Sequence, residues 1–129
     1  YDILDAVSYL LKRGDVRSIS LVGGGNAGPL CLLAAACTPV MDSVVVDAGG
    51  LDDEALTGDL YVPCLRRAGD LRTAMALVSS GRLFIHNTRG KFDTSWAEAA
   101  FRAAGKRGAL KVERDVAAQT EIARWLNGD

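Results

Sequence analysis

The sequence carries no excess of either charge. Fifteen lysines and arginines stand against 16 aspartates and glutamates, a formal net charge of -1. A chain that binds nucleic acid or lies on a membrane surface normally shows a basic surplus, so neither partner is expected. Long hydrophobic runs are also missing. The longest, Pro29 to Cys37, is about half of what a membrane span needs. No internal repeat, low-complexity segment or charged-then-apolar leader is present. The three cysteines, Cys31, Cys37 and Cys64, lack metal-ligand spacing, and no metal site or cofactor is expected from them. Cys31 and Cys37 fall in an apolar helical run, where free cysteine behaves as a small hydrophobe, so both are expected to be buried and inert. Cys64 follows Pro63 in an expected loop.

What is present is the composition of an ordinary globular domain: 49% hydrophobic and 24% charged over 129 residues, enough for one sizeable core. The first residue is Tyr1, and a helical pattern already runs from Asp2. The expectation is a single domain that forms the C-terminal part of a longer chain. Its first partner would then be the preceding portion of its own chain, where any targeting signal would lie.

The order of elements alternates. Ile3, Leu4, Val7, Leu10 and Leu11 fall at helical spacing, with a stop near Gly14. Ser18 to Val22 reads as a strand, Asn26 to Cys37 as a helix apolar on nearly every face, and Ser43 to Asp47 as a strand covered on both faces. An irregular stretch, Ala48 to Gly69, carries Tyr61, Pro63 and Arg66-Arg67. Asp70 has the position of a cap for a helix over Leu71 to Val78. Arg82 to His86 reads as a third strand. Ser95 and Glu98 have capping-box spacing before a helix through Trp96, Phe101 and Ala104. Leu110 to Val112 and Val116 to Leu126 read as a last strand and helix. Strands separated by helices imply a parallel sheet with helices on its faces, an α/β fold of three layers and about four strands.

The glycine cluster between the first strand and the next helix has two readings. Gly23, Gly25 and Gly28 spell G-x-G-x-x-G, and Asp47 ends the following strand. That is the pattern of a dinucleotide-binding turn, in which glycines admit a pyrophosphate to the backbone and the carboxylate holds a ribose. Gly23-Gly24-Gly25-Asn26-Ala27 also fits the frame of a nucleophile elbow, G-x-S-x-G, with Gly25 in the serine position.

Beyond the glycines, Asp2 to Val22, Tyr61 to Val78 (with Gly69-Asp70-Leu71 and Ala74-Met75-Ala76-Leu77), Leu83-Phe84-Ile85-His86-Asn87-Thr88 and Glu113 to Leu126 follow one another as a recognisable series. Over nearly its whole length the chain resembles the C-terminal half of α/β-hydrolases, in particular bacterial acetyl xylan esterase-like and dienelactone hydrolase-like proteins. The resemblance implies a helix and strand leading into the elbow, then a strand whose following turn carries the triad acid, then a last loop and helix with the catalytic histidine before it.

The chemistry implied by the resemblance needs a nucleophile, a base and an orienting acid. Gly25 has no side chain. Ser18, Ser20, Ser79 and Ser80 do not occupy the elbow. No histidine occurs near Glu113 to Asp115. The one histidine, His86, matches a strand-end residue before the acid turn and is expected to be hydrogen-bonded beneath the sheet edge. Asp93 is the candidate for a surviving acid, although the commonest turn would place the acid near Gly90; a helix-capping role is its other reading. One oxyanion donor of this fold would come from an earlier loop absent from the chain. The expected function is thus an esterase-related domain that has lost catalysis. Its role would be accessory, structural or ligand-binding, with Gly24, Gly25, Asn26 and Asp93 as contacts for a small molecule. The alternatives are part of an active carboxylic-ester hydrolase, such as an acetyl xylan esterase, and a dinucleotide (NAD or FAD) domain using Gly23, Gly25, Gly28 and Asp47.

Overall fold

A computed structural model describes residues 2–49, 51, 62 and 64–129. Tyr61 and Pro63, with most of the irregular stretch that contains them, lie outside the described residues. Among the described residues, four strands, β1 (Ser20–Gly23), β2 (Ser43–Asp47), β3 (Arg82–His86) and β4 (Leu110–Val112), form one sheet in the order β1-β2-β3-β4. Every pairing is parallel, with Ser20 beside Ser43, Val44 beside Leu83 and Leu83 beside Leu110. Among the described residues, five α-helices accompany them: α1 (Asp2–Leu11), α2 (Ala27–Cys37), α3 (Asp70–Leu77), α4 (Ser95–Ala103) and α5 (Gln119–Asn127).

Side-chain alternation assigns the layers. Successive residues of a strand point to opposite faces, and Val44, Val46, Leu83 and Ile85 join the larger core with Val7, Leu32, Met75 and Phe101 from α1 to α4. Val45 and Phe84 face the other way and meet Trp125 of α5, with Ile122 and Leu126 beside it. The sheet therefore lies between α1 to α4 and α5, which explains why β2 is apolar on consecutive residues. β1 is the exception. Leu21 packs on the larger core, but Val22 on the opposite face is 51% exposed.

Several local expectations need correction. α2 is not buried on every face: Leu30 is exposed at its surface and so is Cys37, while Cys31 is buried as expected. Cys64 is exposed in a turn with φ +65. β1 starts two residues later than Ser18, because the Ile19 amide donates to the Asp42 carboxylate, 2.9 Å, before ladder pairing begins at Ser20. α1 ends at Leu11, closed by Lys12 and Arg13 amides bonding to Tyr9 and Leu10 carbonyls, short of Gly14. Asp70 does not precede α3 but is its first residue, and its carboxylate accepts the adjacent Leu71 amide. The capping box also shifts. Thr94, not Ser95, precedes α4, and its hydroxyl donates to Glu98, while Asp93 accepts the Ser95 amide at 2.9 Å. Finally, Val116 to Ala118 stay outside α5: the Ala117 amide points to His86 Nδ1, 3.4 Å away, and Ala118 is extended.

Candidate functional site

The four parallel strands deliver their following turns to one edge, the usual place for ligands in open α/β sheets. At the end of β1, Gly24 and Gly25 carbonyls accept the Ala27 and Gly28 amides at 3.1 and 3.0 Å, tightening the chain into α2. Gly25 has φ +53, a left-handed backbone that side chains disfavour, yet a Cβ built there meets nothing within 4 Å. Gly28 is needed for a different reason. A Cβ there would stand 2.0 Å from the Asp47 carbonyl oxygen, so only glycine lets α2 lie this close to β2. Gly23 is similar, with a Cβ 2.7 Å from the Ala27 carbonyl oxygen.

Asp47, the last residue of β2, ties this turn to its neighbours. Its carboxylate accepts the Gly25 amide at 3.0 Å, the Gly49 amide at 2.8 Å and the Asn87 side-chain amide at 2.8 Å. Burial pushes the carboxyl upward. The bonds from Asn87, Gly25 and Gly49, with a smaller electrostatic contribution from the neighbouring His86, outweigh that and hold it below its ordinary value. Asn87 in turn accepts from Arg89 Nε at 3.2 Å. Asn87 and Arg89 both have positive φ, +59 and +50, unusual for residues other than glycine.

The turn after β3 is zipped to the loop after β4. Amides of Asn87 and Arg89 donate to the Asp115 and Arg114 carbonyls at 2.8 and 3.0 Å, and the Thr88 hydroxyl donates to the Glu113 carbonyl. The places where the resemblance would put the acid, near Gly90, and the base, near Glu113 to Asp115, are thus neighbours. Asp47 and Asn87 link them to the Gly25 turn. None of the three turns carries a serine, cysteine or histidine. His86 sits at the end of β3, only 4% exposed; its ring lies 5.6 Å from that of Phe84, and its Nδ1 accepts from Ala117.

Other sequence candidates lie elsewhere. Ser79 and Ser80 close a short turn before β3, at the opposite edge of the sheet, and Ser18 precedes β1 on that side too. The Asp93 carboxylate caps the Ser95 amide and lies 3.8 Å from Arg72 Nε; these contacts lower its proton affinity, the Ser95 bonds contributing most. Its partners are thus on α3 and α4. Asn26 precedes α2 without a side-chain capping bond.

No protein-family model, no curated protein and no solved structure matches the chain. The geometry therefore stands on its own. Asn87, Arg89 and Arg114 escaped the sequence reading, which looked for ionisable triad members. The signal available for Asn87 was its tolerance of left-handed backbone immediately after a strand.

Proposed function

We propose that this is a non-catalytic, esterase-related α/β-hydrolase-like domain that serves as a ligand-binding module through the turns following its strands. The observation that carries the reading is the convergence of the Gly25, Asn87–Gly90 and Glu113–Asp115 turns at one edge without a serine, cysteine or histidine among them, the one hydroxyl, of Thr88, being given to the Glu113 carbonyl. The Gly25 amide is also occupied by Asp47. An acyl transfer needs a nucleophile within hydrogen-bond reach of a base, and glycine at position 25 supplies neither proton nor lone pair from a side chain.

The dinucleotide reading has less support. Gly23 and Gly28 suit its close helix–strand packing, but the carboxylate meant for a ribose already accepts three hydrogen bonds. Such cofactors also bind where strand order reverses, and the four described strands run in sequential order.

Hydrolysis of p-nitrophenyl acetate by the purified protein tests the reading. The expected rate equals that of buffer with an inert protein. Saturable turnover that disappears in an Asn87→Ala variant of unchanged fold would overturn it and favour the active-esterase alternative.

A further inference from the structure

Among the described residues, two arginines at this edge have no acidic partner. Arg89 and Arg114 belong to the turns after β3 and β4, joined by the Arg89 amide donating to the Arg114 carbonyl at 3.0 Å. The Arg114 guanidinium lies against the Arg89–Gly90 turn: a Cβ on Gly90 would be 3.9 Å from Arg114 Cζ. Among the described residues, neither guanidinium forms an ion pair, whereas Lys111 takes both Glu113 and Glu121. Of the acidic residues nearby, Asp47 is engaged by Gly25, Gly49 and Asn87, Glu113 lies 3.8 Å from Lys111, and Asp115 joins the network through its backbone carbonyl.

Arg89 is also oriented. Asp47 fixes the Asn87 side-chain amide, and the Asn87 oxygen then takes Arg89 Nε, leaving the guanidinium's terminal nitrogens unspent. The backbone that achieves this takes positive φ at Asn87 and at Arg89, two non-glycine residues flanking Thr88, before Gly90 does so without strain. Strain of this kind persists where the surroundings over-determine it, commonly at ligand sites. Two like charges carried on adjoining turns repel, and an anion bound by both would relieve that repulsion. A guanidinium's planar fork matches the paired oxygens of carboxylate and phosphate.

We infer that Arg89 and Arg114 form an oxyanion-binding site for the carboxylate or phosphate group of a small molecule. The inference rests on the proposed reading of this edge as the one that binds a ligand.

Calorimetric titration of the whole protein with inorganic phosphate and, separately, with acetate tests it, in wild type, Arg114→Ala, Arg89→Ala/Arg114→Ala and the control Arg102→Ala on α4. Circular dichroism checks that each variant keeps its fold. Saturable binding of at least one anion is expected, weakened about tenfold by Arg114→Ala, abolished in the double variant and unchanged in the control. Preference for phosphate or for acetate assigns the source of the oxyanion. No saturable binding of either anion, or binding that survives the double change, overturns the site. Ester hydrolysis is scored separately, so turnover accompanied by arginine-dependent anion binding would sink the non-catalytic reading and leave this one standing.

Discussion

At the scale of single residues, Asp47 is the most connected polar group of the site. One carboxylate holds the turn after β1, the start of the segment after β2 and the side chain that opens the turn after β3. These donors favour its charged form, and they overcome a burial that opposes it. The folded value is therefore depressed below the unfolded one. The stability this creates is present in full above the unfolded value, about 3.9, and is lost as pH falls through the lower folded value. Urea midpoints of wild type and Asp47→Asn, measured at about pH 6, 4 and 3, should converge as the solution becomes acid. Parallel midpoints across that range would show that the carboxylate's charge contributes nothing to the fold.

Among the elements, α5 is held by more than its apolar face. Arg82, at the start of β3, reaches across to the carbonyls of Trp125 and Leu126 in the last turn, and its guanidinium carbon lies 4.2 Å from the Trp125 ring centre. A cation at a helix C-terminus satisfies carbonyls that lack intrahelical donors and opposes the helix dipole. Arg82→Ala should cost about 1–2 kcal/mol in urea denaturation, whereas exposed Arg102→Ala should change stability by less than about 0.5 kcal/mol. Equal losses would mean that the Trp125 contact has no specific role. The same helix shows what sequence pattern does and does not reveal. β2, β3 and β4 were legible to the residue, the first two as apolar runs bounded by polar residues and β4 as the short alternation Leu110-Lys111-Val112. Val116 and Ala117 look equally helical, but the chain must first pass to the opposite face of the sheet, and the Ala117 amide is taken by His86. Cys37 looked like core because it ends an apolar run, yet it falls on the outward side of α2. At the site, the glycine turn and Asp47 were readable from spacing. The Asn87–Arg89 arrangement was not, since it depends on backbone conformation and on partners 40 residues away in sequence.

The whole molecule has two unequal sheet edges. β4 is three residues long, carries Lys111 and is followed by Glu113 and Arg114. Short strands and charges are the usual means by which an edge resists pairing with another chain. β1, at four residues, is also short but has no charge within its strand. Ser20-Leu21-Val22-Gly23 contains no charge, no strand among the described residues pairs beyond it, and Val22 is half exposed on the face that α5 leaves uncovered. An apolar residue on an unpaired edge favours association between copies as concentration rises. Val22→Lys should therefore hold the protein monomeric to higher concentration in sedimentation velocity. Because Val22 is not part of the buried core, stability should change by less than about 1 kcal/mol. The companion change Val112→Lys on β4 should have little effect on association, since that edge is already charged. If both variants associate as wild type does, the β1 edge is not the surface through which copies meet, and its exposed valine has to be explained by local packing alone.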